Sequence, residues 1–145
     1  MASYEVSVIT PAAASAAAYM TLHTGASLRC KLRELGVIVN AATASSLGLG
    51  RPANTPVAST SVLGQACDAA DPAATVNMDS AWSTAPTAPT NFFRRFNAGA
   101  VIGNGVIWTW PADAPLVLNV SSWLVLWNFG ASAGSACSVY AKWDE

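Results

Sequence analysis

The sequence predicts an all-β chain: one antiparallel β-sandwich with strand spacing of the jelly-roll type. Three observations predict it. Short apolar segments alternate with period two, the mark of half-buried strands. Gly, Pro, Asn and Asp clusters separate them at intervals that suit a sandwich or jelly roll. The 145 residues are 52% apolar and only 10% charged, so there is ample material for one core.

Tyr4 to Thr10 alternates and ends at Pro11, so it reads as a strand. The Ala-rich run from Pro11 to Ala18 permits a helical turn without fixing one. Tyr19 to Thr24 reads as a second strand. Leu28 to Val39 is ambiguous, because Leu28, Leu32 and Leu35 match helical spacing, with Ser27 as cap and Gly36 as stop. The β-branched run Val37-Ile38-Val39 favours one long strand with a break near Glu34-Leu35.

Residues 40–78 are rich in Ala, Ser, Thr, Gly and Pro and read as a long irregular loop, with a short strand at Ser59–Leu63. A short strand is expected at Asp79–Ser83, and a Thr/Pro stretch from Ala85 to Thr90 leads into Phe92-Phe93-Arg94-Arg95-Phe96. Gly103-Asn104-Gly105 is a hairpin-type turn before Val106–Trp110. Leu116–Leu118, Ser122–Phe129 and Cys137–Trp143 complete about eight strands. Residues 1–145 thus form a single domain with an N-terminal arm (about 1–18) and the irregular loop (about 40–78).

Charge is the most informative part of the composition. The chain has seven Lys/Arg, eight Asp/Glu and a net charge of −1. Soluble domains average about 25% charged residues. From Phe96 to Ala141 the only charged side chain is Asp113, where about eleven would be usual. In Ser122–Phe129, Trp123, Val125, Trp127 and Phe129 share one face while Leu124 and Leu126 line the other. A strand apolar on both faces is covered on both. The second cover is expected from another chain or from the long loop. Such a surface favours association.

The same balance argues against nucleic acid. Phosphate binding needs clustered cations, and the only basic clusters are Arg29-Lys31-Arg33 and Arg94-Arg95. The uncharged stretch Ala114–Ala141 has period two and polar interruptions, so no membrane span is expected. The start of the chain has no basic, apolar leader pattern, so synthesis in the cytoplasm is expected.

The residues offer little chemistry. His23 is the single histidine, and the eight carboxylates are scattered. Neither a metal ligand set nor a glycosidase pair is legible, so no cofactor and no catalysis are expected. Gly48-Leu49-Gly50-Arg51-Pro52 lacks the Gly-Lys-Ser/Thr of a phosphate loop and reads as a turn. Cys30, Cys67 and Cys137 show no CxxC spacing and read as reduced, with a Cys30–Cys137 or Cys67–Cys137 bridge left open. Six Trp occur: Trp82, Trp108, Trp110, Trp123, Trp127 and Trp143. They read as core and subunit interface, with sugar stacking on Trp108 and Trp110 as the alternative.

Two stretches carry a resemblance. One runs from Leu28 through Thr43 and continues at Gly48–Pro52. The other runs from Trp108 through Leu118 and ends in Val139–Glu145. Together they are similar to the small single jelly-roll (TNF-like) proteins of tailed-bacteriophage virions, of the capsid decoration or cement kind. The resemblance implies a homotrimer, less often a dimer, on the outside of the head, bound to the major capsid protein lattice and without catalytic residues. On that reading Tyr4, Val6, Val8, Arg51 and Pro52 contact the capsid, and Trp108, Trp110, Trp123 and Trp127 form the subunit interface. A carbohydrate-binding module, such as a fibre tip or lectin, is the alternative.

Overall fold

The computed structural model describes all 145 residues, Met1–Glu145. It is all-β without a helix. Two six-stranded antiparallel sheets pack as a sandwich. The first sheet is built around Ser3–Ile9 (β1), Cys30–Val39 (β3) and Cys137–Asp144 (β12). The second contains Ala18–His23 (β2), Ser45–Gly50 (β4), Val57–Leu63 (β5), Asn77–Thr84 (β7), Phe92–Ala98 (β8) and Trp123–Asn128 (β11). Gln65–Ala66 (β6), Gly105–Thr109 (β9) and Leu116–Leu118 (β10) flank the first sheet.

The first sheet runs β10-β3-β12-β1-β6, and β9 also pairs with β3, ahead of β10. The second runs β5-β7-β2-β11-β4-β8. Alternation decides the faces. Tyr4 and Val6 of β1, and Cys137, Val139, Ala141 and Trp143 of β12, enter the core between the sheets. Their neighbours Ser7 and Ile9, Ser138 and Lys142 face outward. Across the core, Leu124 and Leu126 of β11 and Leu47 and Leu49 of β4 meet them.

The strand reading of residues 28–39 holds from Cys30 onward, and the helical-looking spacing has a structural cause. Lys142 pairs with Glu34 and Trp143 with Leu32, so Arg33 has no opposite residue. This bulge absorbs one position. Leu32 and Leu35, three apart, therefore both reach the core. Arg33 turns outward, and its Nε donates to Asp144 Oδ2 at 2.6 Å. Burial works to raise the Asp144 carboxyl, but hydrogen bonds from Ser3 and Arg33 and the charges of Arg33 and Lys31 outweigh it and hold it below its ordinary value. That stabilisation is present above the ordinary carboxylate range and is lost as pH falls through the depressed value.

Three expectations are corrected. Residues 1–18 are not a free arm. β1 is a strand of the first sheet, paired along its whole length with β12. Residues 40–78 are not one irregular loop, because they hold β4, β5, β6 and the start of β7. The turn at Gly103, where φ is +83°, joins β8 to β9 in different sheets and closes no hairpin. Its Gly103 N–H donates to Val39 O instead.

The second cover over β11 comes from the chain itself. Val125 is fully buried and Trp127 nearly so, yet neither belongs to the inter-sheet core, so both lie on the far face. β7 and β8 stand on opposite sides of β2, β11 and β4, and the Ala85–Asn91 segment must pass between them. Pro86 and Pro89 are buried in this crossover. A Cβ built on Gly50 would stand 2.6 Å from Pro89 Cβ, so β4 needs a bare backbone here.

The end of the chain is clasped. Glu145 accepts from Thr75 N and Val76 N, from Thr75 Oγ1 at 2.8 Å and from Trp143 Nε1 at 2.9 Å. It ties the 67–76 connection to β12. Glu145→Ala is expected to lower unfolding free energy by about 2 kcal/mol, the scale of hydrogen bonds to a charged group. A urea titration reads it as a lower midpoint at unchanged slope.

Candidate interaction surface

The outward face of the first sheet is divided. At one end, Thr109, Glu34, Lys142 and Glu5 form a polar row across β9, β3, β12 and β1. The next row is Ile107, Gly36, Tyr140 and Ser7. Two residues further, Gly105, Ile38, Ser138 and Ile9 follow. These last two rows contain no charge. Ile9 is 73% exposed, Ile107 59% and Ile38 43%. Isoleucines this open, on the face where the sandwich should be polar, make this end of the sheet a candidate interaction surface. Exposed Val101 and Ile102 add to it from the loop that Gly103 ties to Val39.

Tyr140 lies across Gly36. A Cβ there would stand 2.0 Å from the ring, so only glycine lets the ring lie flat on the sheet. The Tyr140 hydroxyl donates to Glu34 Oε1 at 2.7 Å, and that bond, more than burial, pushes its pKa up to about 12. The ring therefore separates the charged end from the apolar end.

β1 also has an open edge. Its backbone groups alternate between its two neighbours. Thr10 N bonds to Cys137 O on the β12 side, whereas Cys67 N bonds to Ser3 O on the β6 side. β6 reaches only Tyr4 and Glu5. The chain enters β6 through Gly64 from β5, which lies in the second sheet, so no strand continues β6 along the rest of β1. Ser7 and Ile9 thus turn their N–H and C=O groups to an edge with no strand beside it. An open concavity of about 360 Å³, lined by Glu5, Val6, Ser7, Val62, Gln65, Ala66 and Cys67, lies there.

The sequence-derived contact residues scatter. Tyr4 and Val6 are buried in the core, and Val8 packs against it, so these side chains are not offered to a capsid. Ile9, on the opposite face of the same strand, is exposed. Arg51 is exposed and Pro52 half-buried at another corner, where the Arg51 guanidinium sits 5.1 Å above Phe93. Arg51, Pro52, Phe92 and Phe93 help line a second open concavity of about 380 Å³.

The tryptophans are largely used within the chain. Trp143 and Trp108 are in the core, and Trp127 is buried beyond it. Trp110 is half-buried with Arg94 above its ring at 5.8 Å. Trp123 stacks on His23 at 4.3 Å between ring centres. No Trp is exposed outright: Trp108 and Trp127 are buried within the chain, while Trp110 and Trp123 keep part of their surface open.

One polar cluster was missed in the sequence. Asp79 is fully buried and accepts from Thr21 Oγ1 at 2.8 Å, Ser61 Oγ at 2.5 Å and His23 Nδ1 at 2.7 Å. Thr21 Oγ1 accepts in turn from Trp82 Nε1 at 2.9 Å. Ser61 and His23 both bond to the carboxylate and not to each other, so the cluster does not order a nucleophile, base and acid in series. It binds β2, β5 and β7 together. No group of three or more His, Cys, Asp or Glu side chains is placed to hold a metal ion.

All three cysteines are free. Cys137 pairs with Val39, nine positions along β3 from Cys30. That is about 30 Å of strand, too far for a bridge between them. Burial pushes the Cys137 thiol up to about 11, and the Cys30 thiol higher still.

Comparison with protein-family models, with curated proteins and with solved structures finds no match to this chain.

Proposed function

We propose that the chain is a structural virion protein, a decoration or cement protein that attaches to the outside of a tailed-phage head and stabilises it by bridging capsid subunits. The observation that carries this reading is the charge-free end of the first sheet's outer face, with Ile9, Ile38 and Ile107 open to solvent. Such a face is at rest only against another protein. The overall shortage of charge, 10% of residues, points the same way. Capsid contact then belongs to Ile9, Ile38 and Ile107, with Arg51 and Pro52 at a separate corner, and not to Tyr4 and Val6.

Jelly-roll connectivity and a three-copy assembly are what the resemblance adds. Nothing in the arrangement of strands favours three copies over two. The carbohydrate alternative is weaker, because a sugar site of this kind wants two indole rings exposed in a groove and Trp108 and Trp110 do not provide one.

In virions purified from a lysate that encodes this chain, antibody against the folded protein is expected to label the head exterior. Heads stripped of it are expected to burst at lower temperature. Particles that lack the chain would overturn the reading.

A further inference from the structure

We propose that two copies of this chain join edge to edge through the open side of β1, Ser7 pairing with Ile9 of the second copy across a two-fold axis at Val8. The inference rests on the assembly reading above and names the partner of that surface.

Four edges border the two sheets, and the others are guarded. β8 carries Arg94 and Arg95. β5 is broken by three register shifts against β7. The β9–β10 side is interrupted between Thr109 and Leu116 by a segment holding Pro111, Asp113 and Pro115. Charges, bulges and prolines of this kind are how sheets avoid adding strands. β1 beyond Glu5 has none of them: no Lys, Arg, Asp or Glu occurs from Val6 through Leu28, and Pro11 comes only after the strand ends.

The free groups are self-complementary. With Val8 opposite its own copy, Ser7 stands opposite Ile9 and Ile9 opposite Ser7. Each pair exchanges two N–H···O=C bonds, the closely spaced pattern of an antiparallel ladder. The two-fold contact closes, so it yields a dimer and not a fibre.

The outer faces select the same partner. Pairing extends the row Ile107, Gly36, Tyr140, Ser7 directly into Ile9, Ser138, Ile38 of the second copy, and the reverse. Two uncharged rows then run unbroken across both copies, while the Glu34–Lys142–Glu5 ends lie apart on either side. An unrelated extended peptide would satisfy the backbone groups but would not continue these rows. The dimer thus presents one doubled apolar face to a shell.

The test is the native mass of the full chain across a dilution series, for the wild type, Ser7→Pro and Ile9→Lys. The Ser7 N–H is not used by β12, so proline removes a ladder donor only at the contact, a position proline tolerates. Ile9→Lys places a charge on the edge without touching the backbone. Both variants are expected to keep a cooperative unfolding transition and to raise the dimer dissociation constant about 10-fold or more, which for Ser7→Pro is the scale of two lost hydrogen bonds. In the wild-type dimer the Ser7 and Ile9 amides are expected to be protected from hydrogen exchange. A wild-type dimer unchanged by both substitutions, or a trimer, would overturn the β1 contact and leave the assembly reading standing. A wild-type monomer with freely exchanging Ser7 and Ile9 amides would overturn both.

Discussion

Asp79→Ala is expected to lower the unfolding free energy by about 3–5 kcal/mol, the range seen when one partner of a buried charged network is removed. The carboxylate is wholly enclosed and accepts three side-chain hydrogen bonds, from three residues on two neighbouring strands. Without it, the Thr21 and Ser61 hydroxyls and the His23 N–H lose their acceptor in a place water does not reach freely. The Thr21 hydroxyl also receives the Trp82 indole N–H, so the disturbance spreads to the ring beside β5. Asp79→Asn keeps the shape and one acceptor oxygen, and is expected to cost less than alanine. Urea titrations of the three proteins check the order. Equal stability of wild type and Asp79→Ala would show that the cluster does not hold β2, β5 and β7 together.

Trp143→Ala is expected to have a comparable effect, about 3–5 kcal/mol, as for other large aromatic truncations in a core. The ring is fully buried and stacks against Tyr4 with centres 6.1 Å apart. It also fills the space beside Gly64, where a Cβ would lie 2.3 Å from the ring. This is where the chain passes from the second sheet to the first, so the indole wedges the corner open at the correct angle. Its Nε1 holds Glu145 as well. Removing it opens a cavity at the corner and frees the clasp on the 67–76 connection. Thermal unfolding should show the loss, and the milder Trp143→Phe, which keeps most of the volume and loses the N–H, should fall between. A Trp143→Ala protein as stable as Glu145→Ala would mean that the ring acts only through its hydrogen bond.

Strands whose two faces differ in polarity were legible in the sequence. β1 and β12 fall where alternation places them, because burial on one face imposes period two. β4 was not legible, since Ser-Ser-Leu-Gly-Leu-Gly reads as a turn by composition. Its glycines are there for neighbours remote in sequence: Phe92 and Phe129 crowd Gly48, and Pro89 crowds Gly50. The bulge at Arg33 was visible only as an irregularity, placed one residue late, because its cause is the register against β12. The Asp79 cluster was hidden for the same reason. Thr21, His23, Ser61 and Asp79 meet only once β2, β5 and β7 are paired.

The interaction surface was half legible. The charge deficit pointed to partners, and the N-terminal segment was singled out. The apolar residues chosen, Tyr4, Val6 and Val8, are those the strand's own alternation sends inward. Ile9 was the informative one, an isoleucine in phase with Ser3, Glu5 and Ser7. The same signal marks Ile38, in phase with Gly36, and Ile107, in phase with Thr109. The two-sided apolar strand β11 proved a poor guide to partners, because the proline-bearing crossover covers its far face.

The native mass of the purified chain in dilute solution tests the central claim most directly, that this protein works by assembly through an uncharged sheet edge and face. A species of about twice the 14.9 kDa chain mass is expected to persist into the micromolar range. A 14.9 kDa particle at every concentration, stable and without affinity for a second copy, would contradict it.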